Sequence, residues 1–219
     1  NQESIRDAVA KICSRFDEAY WLKKDKEGGY PADFHRALAD AGWLGICIPE
    51  EYGGSGLGIT DAAIMMRTIS ESGAGMSGAS AVHMNVFGLN PVVVFGTKEQ
   101  CQRMLPPIID GRDKSCFAVT EPNTGLNTTQ LKTRAERRGD SYVVNGQKTW
   151  TTLAQHADWI FNLVRTDPAA KKQQGISFLL VDMKTPGITV RPIQTIDGGH
   201  EVNEVWFDDV RVPVENLVG

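Results

Sequence analysis

Cysteine is scarce and scattered in this sequence: Cys13, Cys47, Cys101 and Cys116 stand apart with no C-x-x-C pair, which excludes a zinc ribbon or a dithiol redox motif. The residues His35, His83, His156 and His200 show no H-x-x-x-H or related spacing, so no metal site is expected. Positive charge is not in excess, with 23 Lys and Arg against 27 Asp and Glu and a net charge of -4, and that balance gives no electrostatic footprint for nucleic acid. No apolar run approaches the roughly 20 residues of a membrane span, and no charged-then-apolar leader opens the chain. The expectation is a soluble intracellular protein, or one whose leader has been removed. The asparagine at position 1 suggests ends that are not those of a native gene product.

What is present is ordinary globular composition over 219 residues, enough for one large domain or two small ones. Ile5, Val9, Ile12, Phe16 and Tyr20 recur at helical spacing, which predicts one long amphipathic helix from a Ser4 cap to a stop at Gly28-Gly29. Pro31 opens a second helix that Gly42 ends. The Gly53–Gly58 stretch lacks the last glycine of G-x-G-x-x-G and no strand precedes it, so it reads as a flexible link and not a phosphate loop. A third helix follows, capped by Thr60 or Asp61 and running to Gly73, then a small-residue segment from Gly75 through Phe87. Thr97-Lys98-Glu99-Gln100 is a capping box that starts a helix ended by Pro106-Pro107. From Lys114 the period changes from helical to alternating, with turn signals at Gly139-Asp140, Asn145-Gly146, Asp167 to Gly175, Pro186-Gly187 and Gly198-Gly199. Helices followed by strands predict a segregated α+β fold, with a helical domain over 1–112 and a β domain over 113–219. The Arg134, Arg137 and Arg138 cluster reads as a solvated hairpin edge.

Chemistry concentrates in two stretches. Phe117-Ala118-Val119-Thr120 is a β-prone run that breaks at Pro122, leaving Glu121-Pro122-Asn123-Thr124-Gly125-Leu126-Asn127 as a loop. In Lys148-Thr149-Trp150-Thr151-Thr152, strand alternation predicts Trp150 and Thr152 on one face and Thr149 and Thr151 on the other. An aromatic plate beside a hydroxyl suits a flat redox-active heterocycle, which needs a face to stack on and a donor at its edge.

These residues resemble the signature of the acyl-CoA dehydrogenases: Phe-Ala-Val-Thr-Glu-Pro-x-x-Gly, then Asn145-Gly146-Gln147-Lys148-x-Trp150-x-Thr152. The resemblance extends to Pro49-Glu50-Glu51-Tyr52-Gly53-Gly54, to Phe95-Gly96-Thr97-Lys98-Glu99-Gln100 and to Phe207-Asp208-Asp209-Val210-Arg211-Val212-Pro213, and so covers essentially the whole chain. It implies an antiparallel β-barrel or sandwich after the helical domain, and FAD as cofactor. Its cofactor-binding positions would be Phe117, Val119, Thr120, Gly125, Leu126, Trp150 and Thr152. Val119 and Thr120 would meet the pyrimidine edge of the flavin, Trp150 would cover its ring and Thr152 would donate near N5. His83, Met84 and Phe87 would border the acyl chain, with simple core packing as the alternative.

The resemblance also implies an acyl-CoA thioester as substrate, an electron-transfer flavoprotein or equivalent acceptor as partner, a homo- or hetero-oligomer, and a bacterial cytoplasmic or mitochondrial matrix location. The family's catalytic base is a carboxylate on a C-terminal helical domain, expected beyond Gly219, so no catalytic residue is assigned and the chain alone is expected to be inactive. Glu121 is expected to be structural. One departure stands out. Where the family carries Gly-Ser-Asp, this chain has Gly125-Leu126-Asn127, which removes a hydroxyl and leaves main-chain N–H groups as the anion donors. A flavin oxidase or monooxygenase on the same scaffold, and a non-catalytic partner of such an enzyme, are the competing readings.

Overall fold

The computed structural model describes residues 2–219. They form two compact units, one of residues 2–94 with 101–113 and the other of residues 95–100 with 114–219.

The first unit is helical. Where periodicity predicts one long helix, there are two, α1 (Gln2–Cys13) and α2 (Glu18–Glu27). The break comes at Asp17, whose carboxylate accepts the Tyr20 N–H at 3.0 Å and so caps a new start. The apolar spacing continues across the break because both helices bury the same core, in which the Phe16, Trp21 and Phe34 rings meet edge to face. α3 (Ala32–Asp40) follows Pro31. The Gly53–Gly58 segment is no flexible link. Ser55, Gly56 and Leu57 donate their N–H groups to the carbonyls of Gly45, Ile48 and Ile46 at 2.8–2.9 Å, so the donors that a phosphate would need are spent on the chain itself.

Gly58 caps α4 (Ile59–Ile69), with Asp61 reaching back to the Gly58 N–H. A π-helical segment, Ser70–Ala74, leads into α5 (Gly75–Phe87), and α6 (Asn90–Phe95) follows. The stretch Ile59–Phe95 is long and apolar enough to cross a membrane by composition, but it is kinked at Gly73 and half of its most apolar window is buried inside the protein. α7 (Lys98–Ile109) passes through Pro106 and Pro107 instead of ending at them. Proline's φ is helical and only two N–H donors are lost, and the last turn is held by buried Leu105, Ile108 and Ile109.

The second unit holds the strands β1 (Ser115–Ala118), β2 (Arg134–Arg138), β3 (Ser141–Thr152), β4 (Trp159–Arg165), β5 (Ile176–Asp182), β6 (Ile188–Ile193), β7 (Val202–Pro213) and β8 (Leu217–Val218). The segregated α+β class holds, but the sheet is open and mixed where the expectation was an antiparallel barrel or sandwich. Its order is β6-β7-β3-β2-β4-β5-β8, with β1 beside β4. β1 runs parallel to β4 along 159–162, and β2 joins the same strand in parallel only at the pair Arg134↔Arg165. With β5 along the other edge of β4, β1 and β2 lie end to end on one edge, and the connection between them, residues 119–133, leaves from the gap.

The capping box is present, with Thr97 N–H donating to the Gln100 Oε1 and Gln100 N–H to the Thr97 hydroxyl. Gln100 does more than cap: its Nε2 donates to the carbonyls of Glu215 and Leu217 at 2.8 and 2.6 Å, which ties 95–100 to the strand unit. Asn145-Gly146 is not a turn. β3 runs straight through it, and the irregularity lies opposite on β7, where Asp209 bulges with a φ of 50° and exchanges two 3.0 Å hydrogen bonds with the Asn145 side chain. Gly146 is required there because a Cβ would land 2.6–2.8 Å from Thr133.

Candidate functional site

The two chemical stretches meet at the gap beside β4. Thr149 N–H donates to the Thr120 carbonyl at 2.9 Å, which lays the end of β1 against β3. Glu121 and Thr124 then exchange both main-chain hydrogen bonds at 3.0 Å, and Pro122-Asn123 forms the tip of that tight turn.

Glu121 anchors the turn from below. Its carboxylate accepts the N–H groups of Lys132 at 2.6 Å and Thr133 at 2.9 Å, and the Lys148 ammonium at 2.9 Å. The lysine also donates to the Val119 carbonyl at 3.1 Å. Lys148 and Glu121 are 0% and 6% exposed. Burial pushes the Lys148 ammonium below its ordinary value, and the carboxylate draws it partly back. Burial likewise pushes the Glu121 carboxyl up, but the ammonium and the two N–H donors outweigh it and hold the group below the usual carboxylate range. The two groups have the geometry of a buried ion pair, and Glu121 has its oxygens committed to structure.

β3 does not alternate through the signature. One extra residue lies between the pairs Lys148↔Val205 and Thr151↔Asn203, and Trp150 takes the left-handed conformation at a φ of 60°. This bulge makes Lys148 and Thr151 both buried although they are three residues apart, which simple alternation does not allow. It leaves Trp150 56% exposed and Thr152 half-buried. Fully buried Asn203 fixes the bulge from β7, its amide donating to the Thr151 carbonyl at 3.0 Å and to the Gln155 Oε1 at 2.6 Å.

Around this frame, several polar groups have no protein partner among the described residues: the Thr120 N–H and hydroxyl, the Thr152 hydroxyl, and the N–H groups of Gly125 and Leu126. Leu126 is fully exposed and the space over Gly125 is open. Phe117 stands behind, its ring 5.7 Å from that of Phe178. An exposed indole, hydroxyls on two adjoining segments and free main-chain donors form a donor set that fits the ring and polar edge of a flavin. Val119 differs from the expectation in one respect: its carbonyl is already taken by Lys148.

Beside the turn, where β2 and β4 part, lies a cavity of about 600 Å³ lined by Asn123, Thr124, Leu131, Lys132, Arg134 and Arg165 among others. The Arg165 guanidinium is engaged with the carbonyls of Leu131, Lys172 and Thr129. In the helical unit, His83 and Phe87 share one face of α5 with rings 5.3 Å apart, whereas Met84 is buried. The resemblance grouped these three together, with core packing as the alternative, and Met84 is buried.

The sequence reading missed Lys148, Thr133 and Asn203 as organisers. Only Lys148 carried a signal: alternation from Tyr142 and Val144 puts it on the core face.

Residues 1–112 match the family described as Acyl-CoA dehydrogenase, N-terminal domain, and residues 116–210 match Acyl-CoA dehydrogenase, middle domain. The chain is 38% identical to acyl-CoA dehydrogenase FadE29 of Mycobacterium tuberculosis, over 100% of this chain and 55% of that protein. A probable acyl-CoA dehydrogenase from Mycobacterium abscessus superposes with a TM-score of 0.92 at 32% identity, over 99% of this chain and 58% of that one. A chain of the ChsE4-ChsE5 complex from Mycobacterium tuberculosis gives 0.87 at 33% identity, over 100% and 55%. The chain thus spans about half the length of the curated relatives it matches.

Proposed function

The chain belongs to the acyl-CoA dehydrogenase family, and from that premise we propose that the open end of its sheet holds FAD and that the protein acts in the α,β-dehydrogenation of an acyl-CoA thioester. The observation that carries this reading is the convergence of unpartnered donors with an exposed indole. The Thr120 N–H and hydroxyl and the Thr152 hydroxyl have no protein acceptor among the described residues, and the exposed Trp150 follows Thr149, whose N–H donates to the Thr120 carbonyl. When bound, FAD supplies the two-electron acceptor.

The chain's own residues divide the remaining tasks. Trp150 gives the ring a face, Thr120 and Thr152 direct hydrogen bonds to its polar edge, and the N–H groups of Gly125 and Leu126 offer donors to anionic oxygens. Glu121 takes no part in proton transfer, because its carboxylate already accepts from Lys148, Lys132 and Thr133. By the family resemblance, the α-proton would go to a carboxylate on a C-terminal helical domain. His83 and Phe87, on one face of α5, are proposed to border the acyl chain. Electrons leave to an electron-transfer flavoprotein or an equivalent acceptor, and the protein works as an oligomer.

FAD titration and the midpoint potential of the bound flavin test the reading, with Thr152→Val as the paired variant. Saturable FAD binding in the wild type and a lower midpoint potential in the variant are expected, since the reduced ring loses a donor there. No uptake of FAD by the wild type, or an unchanged potential in the variant, would contradict it.

A further inference from the structure

We propose that Lys148 is a positioning residue that acts on the flavin through the Val119–Thr120 peptide, polarising the Thr120 N–H so that it favours the electron-rich reduced ring. The inference rests on the flavin reading above and adds to it a residue that does not touch the cofactor.

The Lys148 ammonium donates to the Val119 carbonyl at 3.1 Å. That carbonyl belongs to the same peptide unit as the Thr120 N–H, and no cis peptide occurs among the described residues. In a trans peptide the C=O and N–H point to opposite sides. A cation on the oxygen of one side therefore draws electron density away from the N–H on the other, and hydrogen bonds in series strengthen one another by about 10–30% each. The Thr120 N–H is the group so strengthened, and it has no protein acceptor among the described residues.

The surroundings preserve this effect. Lys148 is 0% exposed, so water does not screen it. Its counter-ion is shared: the Glu121 carboxylate, 2.9 Å from the ammonium, also accepts the N–H groups of Lys132 and Thr133. The Val119 carbonyl is thus left facing an ammonium whose neutralising charge is partly spent elsewhere. Methionine would fill the space without the cost of burying a charge.

The test compares FAD-loaded wild type with Glu121→Gln/Lys148→Met, which removes both buried charges together, and with Lys148→Arg, which keeps the positive charge. The readout is the two-electron midpoint potential. The double variant is expected to lose about tenfold in its preference for reduced over oxidised FAD, which is about 30 mV for a two-electron couple. Lys148→Arg is expected to retain most of the preference even where its melting temperature falls. Glu121→Gln/Lys148→Gln, which retains amide hydrogen bonds without charge, replaces the methionine variant if that one does not fold, with the same expected loss.

An unchanged potential in the neutral variant, with only a lower melting temperature, would make Lys148 a structural residue and overturn the proposal. A loss in Lys148→Arg as full as in the neutral variant would also overturn it. Failure of the wild type to take up FAD would overturn the flavin reading itself, and is thereby distinguished from failure of this inference alone.

Discussion

The Lys148 ammonium lies 2.9 Å from a Glu121 carboxylate oxygen, and neither side chain is more than 6% exposed. This ion pair joins the loop after β1 to the middle of β3, and it stands directly behind the residues proposed to meet the flavin.

Removing one partner should cost far more than removing both. Lys148→Met leaves a buried carboxylate without its counter-charge, and is expected to destabilise the protein by about 3–5 kcal/mol. The double variant Glu121→Gln/Lys148→Met is expected to recover most of that loss. Urea denaturation of the three proteins measures it, and equal stabilities for wild type and Lys148→Met would contradict the burial of the pair.

The same pair shapes the acid limb of stability. The Glu121 carboxyl is held below its unfolded value, so its contribution is fully present above about pH 4.3 and is lost as pH falls through the lower folded value. Glu121→Gln should therefore be less stable than wild type near neutrality, and the difference should shrink on acidification below that point. A difference in melting temperature that stays constant from pH 7 to pH 3 would rule out this assignment.

Gly146 has no substitute. A methyl group there would strike Thr133, the residue whose N–H holds Glu121, and the backbone φ of 149° is strained for any other residue. Gly146→Ala is expected to cost more than about 2 kcal/mol, read as a lower urea midpoint. A change below 0.5 kcal/mol, the scale of ordinary surface substitutions, would show that β3 and Thr133 do not touch as described.

Leu126 is fully exposed and buries nothing, so its replacement should leave the fold untouched. Leu126→Ser places a hydroxyl where the loop now has none, and is expected to tighten FAD binding by about one hydrogen bond, roughly 0.5–1.5 kcal/mol. Titration of the two apoproteins checks this. Equal or weaker affinity in the variant would mean that the loop does not pass the cofactor.

The architecture was legible in the sequence wherever a local rule governs. The capping box at Thr97 and Gln100, the turn at Gly139-Asp140 and the switch from helical to alternating period all depend on neighbours in sequence, and all are present. What could not be read was set by strands distant in sequence. Trp150 leaves the alternation because β3 carries one residue more than β7 between two pairs, and nothing in Lys148–Thr152 announces that bulge. Asn145-Gly146 has the composition of a turn, and only the proximity of Thr133 and the bulged Asp209 explains why it lies in a strand instead. The break between α1 and α2 follows from the Asp17 cap, a signal present in the sequence but masked by apolar spacing that continues across it. The resemblance pointed to polar residues that have no protein partner among the described residues, while the ion pair behind them emerged only from the packing.

The central claim is that Trp150, Thr120 and Thr152 form a flavin cradle, and FAD titration of wild type and Trp150→Leu addresses it most directly, followed by tryptophan fluorescence and visible absorbance. Because Trp150 is more than half exposed, the variant should keep the wild-type melting temperature. Saturable binding with quenching in the wild type, and an affinity about tenfold weaker in the variant, about 1.4 kcal/mol, is the predicted result. Absence of saturable binding in the wild type, or equal affinity in both proteins, would contradict the account.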